Sequence, residues 1–360
     1  IGIEMIKYFS DAGGYVSFKD YCPYANFIPE DLYNDWLENI YCYGVSDYDH
    51  PSSLEEAKDL YISLITLGIR VEGQQWLPAN DFKNMLGIIQ PMSYVLSQFA
   101  PEYFFPYLFL CRIFELNKIA DFFNIDLPNI PKRTDYKGRC MYYWELCEVF
   151  YLFRKENGLS PADLWSFLYD FAPNNLPSEK IDMPKPSQVW FIGGRLYQED
   201  KSLESKFWQS SPETKKGDIL VHYETSPISA ITCIEISLTD GVIDPLFRYY
   251  GCIYIGNRIN IPHITLKELQ TDEYFFKHPL VRKNFQGVNG WSVNSENYSE
   301  LLRMIKTKGF DIEVLPKLYA PTLPKDVIIE YEHDVEQQLL EPLLNSMGWY
   351  ENKDFIRQLP

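Results

Sequence analysis

Lys215-Lys216-Gly217-Asp218-Ile219-Leu220-Val221-His222-Tyr223 is a polar turn feeding an apolar run, and its reading sets the fold. Gly-Asp breaks a helix, whereas Ile-Leu-Val-His-Tyr is rich in strand formers. Two neighbouring stretches read the same way: Gln188-Val189-Trp190-Phe191-Ile192-Gly193-Gly194, and Ala230-Ile231-Thr232-Cys233-Ile234-Glu235-Ile236. Each is bounded by Gly, Pro, Ser or Asp, and strands at this spacing imply a small barrel or curled sheet. Residues 261–269 read as a strand end or loop running into a short helix. Residues 298–308 have helical spacing, with Ser295 or Asn297 as a start signal. Helices therefore decorate a β domain.

Upstream, residues 1–175 carry mostly helical spacing, as in Leu54-Glu55-Glu56-Ala57-Lys58-Asp59-Leu60-Tyr61, with Ser52 and Ser53 as capping candidates. Two stretches, 12–21 and 73–82, read as small β-turns feeding a helix, in the manner of a winged helix. No basic recognition face accompanies them, which leaves a helical scaffold as the plainer expectation. Pro, Asn, Ser and Lys dominate between Phe171 and Pro186. The expected organisation is α+β and multidomain: a mostly helical domain over 1–175, a linker over 176–186, a β domain over 187–315, and a linker with a helical stub over 316–360.

A chain of 360 residues exceeds one ordinary hydrophobic core, so two or three domains are expected. Tyr, at 27, outnumbers Phe, at 23, which suggests packed rings with polar tips near the surface. No apolar run approaches the roughly 20 residues a bilayer requires, and no signal-peptide order opens the sequence. The cysteines, at 22, 42, 111, 140, 147, 233 and 252, are odd in number and lack a CxxC spacing. Neither a disulfide framework nor a zinc site is indicated, and a reducing cytoplasm is expected. The net charge of −17 argues against nucleic acid, but acids outnumber bases 26 to 14 over residues 1–182 and only 18 to 17 over 183–330.

No hydrolase triad, phosphate-binding loop or dinucleotide fingerprint is present. The five histidines are scattered, none at metal-ligand helical spacing, and each reads as structural or exposed. Acidic pairs read as solvated faces. Aromatics beside short polar residues stand out instead: Trp190-Phe191, Phe207-Trp208-Gln209-Ser210, Tyr223-Glu224-Thr225, and Asn284-Phe285-Gln286-Gly287-Val288-Asn289-Gly290-Trp291. A planar ligand such as a nucleobase needs rings to stack on and polar groups to read its edge. The same rings could equally fill a small barrel.

The order of elements from Val189-Trp190-Phe191-Ile192 through Phe207-Trp208 and the Lys-x-Gly-Asp turn to Pro262-His263-Ile264-Thr265-Leu266 resembles the EVE domain of the PUA-like superfamily. Leu280-Val281-Arg282-Lys283-Asn284-Phe285-Gln286-Gly287 and Trp291-Ser292-Val293 resemble that family's closing segment. The resemblance spans about 186–310. It implies a pseudo-barrel holding a flipped, modified base, methylated or hydroxymethylated cytosine among them, with relatives that read modified RNA. It makes Trp190, Trp208, Tyr223 and Trp291 wall candidates, and Gln209, Ser210, Thr225, Gln286 and Asn289 edge-reading candidates. Arg195, Lys206, Lys215, Lys216, Arg282 and Lys283 are the candidates for phosphate. Glu224 stands where the family has Ser, and a carboxylate there would favour an amino-bearing edge such as that of cytosine.

Asp334-Val335-Glu336, Leu340-Glu341-Pro342-Leu343-Leu344 and Met347-Gly348-Trp349 resemble the first helix of restriction-type PD-(D/E)xK nucleases, with Glu336 at the acidic position. An ordinary amphipathic helix reads equally well. The resemblances together imply the sensing part of a modification-dependent restriction endonuclease of the phage-defence kind. Its partner would be DNA carrying a modified base, with a homodimer or restriction-system partner possible in principle and no membrane. No catalytic set and no cofactor are expected within these residues, and Mg would enter only with a following nuclease domain. The alternatives are a protein-interaction scaffold with a ligand-free barrel and a reader of modified RNA.

Overall fold

The structure is a computed structural model and describes residues 48–71, 74–110, 112–177, 183–196, 205–319, 331–347, 349–352 and 354–356. The chain divides into two compact units, Ile1–Glu179 with Ile243–Tyr250, and Lys180–Val242 with Gly251–Pro360. A segment from the middle of the β region thus belongs to the helical unit.

In the helical unit, α1 (Leu54–Leu67) starts where the Ser53 hydroxyl accepts the Glu56 N–H at 3.2 Å. The antiparallel strands β1 (Ile69–Val71) and β2 (Gln74–Leu77) are followed by α2 (Phe82–Met85), so residues 74–82 run from a strand into a helix, while residue 73 lies outside the described part. Residues 12–21 lie outside the described part. The remaining helices are α3 (Ile89–Phe99), α4 (Ile113–Phe123), α5 (Tyr136–Glu156), α6 (Pro161–Ser166) and, after a π-helical turn (Phe167–Phe171), α7 (Ala172–Asn175).

Several tyrosines of this unit lie deep in its core, whereas Tyr249 is exposed. Tyr61 and Tyr143 are fully buried, and their hydroxyls donate to the carbonyls of Cys140 and Phe105, both at 2.7 Å. A buried phenol that finds a backbone acceptor keeps its ring in the core without stranding its oxygen. Arg139 of α5 is buried as well, and its guanidinium donates to the carbonyls of Arg133 at 2.9 Å, Pro245 at 2.8 Å and Phe247 at 2.7 Å.

The second unit is built on β3 (Val189–Gly194), β4 (Ser205–Gln209), β5 (Ile219–Glu224), β6 (Ala230–Ser237), β8 (Gly251–Thr265) and β9 (Trp291–Val293). They pair in the order β4-β8-β6-β5-β3-β9, and the two-residue β7 (Val242–Ile243) pairs β8 off that path. All pairings on the path are antiparallel except β3 with β5, a parallel pair that the chain reaches by crossing to the far edge through β4. The long β8 pairs with β4 over 252–256 and with β6 over 255–265, and shifts of register along β6 increase the curl. The Trp208 indole N–H of edge strand β4 reaches the Asn289 side-chain oxygen just before the opposite edge strand β9, at 3.2 Å. The molecule is thus mixed α+β, with helices and a curled half-barrel sheet.

Asp218 explains why the Lys-Lys-Gly-Asp turn opens β5. Its carboxylate accepts from the Lys215 N–H at 2.8 Å, the Gln188 N–H at 3.1 Å, the Ser187 hydroxyl at 3.2 Å and the Trp190 indole N–H at 2.9 Å. One buried side chain therefore ties the starts of β3 and β5. Gly217 precedes it at φ +92°, and a Cβ there would come 2.5 Å from the Pro184 oxygen.

The convex face carries α8 (Leu266–Thr271), α9 (Pro279–Arg282) and α10 (Ser295–Thr307). Leu269, Leu280, Val281, Leu301 and Ile305 from this helical side pack with Val189, Phe191, Ile219, Val221 and Ile234 of the strands. The inner face holds a smaller apolar set, Trp190, Ile192, Leu220, Ile253 and Ile255, with Trp208 against it. After them, α11 (Glu332–Val335), a π-helical turn (Glu336–Leu340) and α12 (Glu341–Ser346) follow. No described helix is long and apolar enough to cross a membrane. Cys140, Cys147, Cys233 and Cys252 are buried free thiols; Cys22, Cys42 and Cys111 lie outside the described residues.

Candidate functional site

Strand alternation sorts β5 into two faces: Ile219, Val221 and Tyr223 turn outward, Leu220, His222 and Glu224 inward. On β6, paired antiparallel, Cys233 lies opposite His222, and Glu235 follows two residues on. The inner face therefore changes from apolar to polar along its length. His222 Nδ1 lies 3.0 Å from Glu235 Oε2, and Arg258 of β8 donates through Nε to Glu235 Oε1 at 2.7 Å. Burial opposes ionisation of Glu235, yet the His222 hydrogen bond and the Arg258 charge hold its carboxyl below the ordinary range. Burial pushes the Cys233 thiol up to about 12, with Glu235 and Glu224 adding to the effect, so both carboxylates act on one point of the interior.

His222 is wholly buried, and among its polar atoms Nε2 has no hydrogen-bond partner. An unmatched buried acceptor or donor costs about 1–3 kcal/mol. The neighbouring ring is Trp208, whose centroid lies 4.8 Å away with 59° between planes. Trp208 is half-buried, carries the Lys206 ammonium 4.2 Å from its ring, and is fixed by Asn289. Asn289 also accepts the Gly193 N–H at 2.8 Å and donates to the Gly193 carbonyl at 2.9 Å. The two glycines of β3 serve opposite faces. A Cβ on Gly193 would come 2.4 Å from Val288 Cγ1, and one on Gly194 would come 2.6 Å from Trp208 Cζ2.

The expected site residues are divided by the sheet. Trp190 and Trp208 share the inner face, but Trp190 is core, locked to Asp218. Tyr223 and Trp291 are on the outer side: Tyr223 stacks on Phe285 at 4.0 Å and 3°, and Trp291 packs on the helix-covered core. The four rings therefore do not wall one pocket. Ser210 is buried and shares a 2.9 Å hydrogen bond with Thr214, Gln209 is half-buried, and Thr225 and Gln286 are exposed. Asn289 uses its amide to clamp Gly193 and Trp208.

Among the basic candidates, Arg195, Arg282 and Lys283 are exposed, with Arg195 donating to the Ser226 carbonyl at 3.0 Å. Lys206 is buried beside Trp208, and Lys216 is half-buried. Lys215 pairs with Asp354 and lies 4.6 Å from the Trp349 ring centroid. Glu336 is half-buried at the start of its π-helical turn.

Sequence reasoning passed over His222, Glu235 and Arg258. A signal was present: polar residues at alternate positions, 222 and 224, 233 and 235, inside otherwise apolar strands. Helical spacing was the wrong test for histidine partners that meet across a sheet. His222, Cys233 and Glu235 place one potential ligand atom each within 4.8 Å of one another. A protonated thiol and the guanidinium already on Glu235 make this set better suited to hydrogen bonding than to holding a cation.

No protein-family model matches the chain, and no curated protein matches it. Among solved structures it is similar to a Rhodopseudomonas palustris protein determined by NMR, at 14% identity and a TM-score of 0.29, covering 33% of this chain and 94% of that one. It is also similar to a hypothetical protein from Leishmania major, at 12% identity and a TM-score of 0.29 over 34% of this chain and 98% of that one. An Agrobacterium tumefaciens protein determined by X-ray crystallography matches at 17% identity and a TM-score of 0.31, covering 37% of this chain and 100% of that one. Likeness of this grade establishes neither a family nor a function.

Proposed function

We propose that the sheet unit is a PUA-like domain of the EVE type that recognises a modified nucleobase, methylated or hydroxymethylated cytosine, as the sensing part of a restriction-type nuclease. The observation that carries this reading is Trp208: a half-buried indole, fixed in orientation by Asn289, given room by Gly194 and set beside the buried His222–Glu235 pair and its Arg258 partner. A fixed ring beside buried polar groups offers a stacking surface and an edge to read. Base stacking on such a ring contributes about 1–3 kcal/mol, comparable with the few kcal/mol needed to unstack the base. Arg195, Arg282 and Lys283 are the exposed cations suited to phosphate, and so few contacts imply weak electrostatic binding with a shallow dependence on salt. Any Mg would belong to a nuclease domain and not to these residues.

Matched DNA oligonucleotides carrying cytosine, 5-methylcytosine or 5-hydroxymethylcytosine, and their RNA counterparts, test the reading at low salt. Tighter binding of one modified form, lost at least tenfold in Trp208→Ala, is expected. Equal affinities unaffected by that substitution overturn it, and preference for the RNA set moves the reading to modified RNA. A second reading, a protein-interaction scaffold, is favoured by one observation: Trp190 and Tyr223 are packed as core.

A further inference from the structure

We propose that His222 reads the ligand, accepting through Nε2 a hydrogen bond from an N–H on the edge of a planar base stacked at Trp208. This rests on the base-recognition reading. Glu235 is the key. Its Oε1 is held by Arg258 and its Oε2 faces His222 Nδ1, so it acts as an acceptor and selects the imidazole tautomer with the proton on Nδ1. That tautomer leaves the Nε2 lone pair available. A histidine serving only the packing of the sheet has no need of a hydrogen-bond chain that fixes which nitrogen is the acceptor. His222 is fully buried, its Nε2 has no partner, and the adjacent ring is the half-buried Trp208. The ligand class is therefore a base presenting an amino group, and a base presenting a carbonyl at that edge meets a lone pair.

The test uses the full chain and two single-stranded oligonucleotides of one sequence, carrying 5-methylcytosine or thymine at one position. These bases share the methyl group and differ at the hydrogen-bonding edge. Wild type is expected to prefer 5-methylcytosine at least tenfold, and His222→Phe to reduce the preference below twofold while retaining part of the affinity. Should His222→Phe fail to fold, the wild-type protein labelled with ¹⁵N in histidine supplies the answer: the His222 Nε2 resonance should shift with the 5-methylcytosine strand and not with the thymine strand. Preference that survives His222→Phe, or an unmoved Nε2 resonance on binding, overturns the role of His222. Equal binding of both strands overturns the edge preference while leaving base recognition standing. Binding of neither strand, with no response to the modified oligonucleotides above, overturns base recognition itself.

Discussion

The two faces of the curled sheet handle the same kinds of residue differently. On the outer face Tyr223 lies flat on Phe285 inside a broad apolar cluster closed by helices. On the inner face Trp208 leans on a histidine and is tethered by an asparagine. Aromatic character alone therefore does not mark a binding wall. The difference lies in what surrounds the ring: apolar neighbours close over Tyr223, whereas Trp208 sits half-buried beside buried polar groups.

Substitutions can break the contrast, beginning with the largest effect. Tyr223→Ala removes a stacked, buried ring and should cost about 4 kcal/mol of stability, read as a fall in the urea midpoint. An unchanged midpoint would mean the ring is not core. Glu235→Ala attacks the other face, leaving half-buried Arg258 and buried His222 without their shared acceptor, at about 3 kcal/mol; the same denaturation measurement decides it. Asn289→Ala strips an acceptor from the Trp208 indole and the Gly193 N–H and should cost about 2 kcal/mol, with Trp208 becoming more accessible to acrylamide quenching. Gly194→Ala should displace Trp208 at about 1–2 kcal/mol, the fluorescence change exceeding that for Gly87→Ala, where a Cβ meets only the Asn84 carbonyl oxygen at 3.4 Å.

The smallest effect is electrostatic and sits at the N-terminus of α8. The hydrogen bond from the Lys308 ammonium holds the Glu268 carboxyl down to about 2. A folded value below the ordinary one means that the contribution is present above about pH 4.5 and is lost as the pH falls toward 2. Because the Glu268 side chain is 41% exposed, screening limits it to under about 1 kcal/mol. Lys308→Ala should flatten the acid limb of the stability profile between those limits and leave it unchanged at pH 7 relative to its own plateau.

The strands around residues 189, 219 and 230 were legible because turn residues frame short apolar runs, a local signal. The helical spacing of residues 54–64 was legible for the same reason. Which aromatics share a face was not, because it depends on pairing: β3 lies beside β5 while β4 crosses to the far edge, so Trp208 meets His222 and Asn289 across gaps that no local pattern spans. Asn289 looked like an edge reader because it is an amide beside glycines and a tryptophan. Its backbone role follows from the approach of residue 193, which is distant in sequence. Lys215 looked available to phosphate for a similar reason, and its pairing with Asp354 joins residues far apart along the chain.

The placement of Ile243–Tyr250 with the helical unit has a practical consequence for dissection of the protein. A fragment ending at residue 179 would lack the carbonyls of Pro245 and Phe247 that receive the Arg139 guanidinium, and would keep only that of Arg133 among the three. Cutting the gene at the 176–186 linker would therefore damage the first half, and a circular permutant or a grafted 243–250 loop is the sounder route to an independent helical piece.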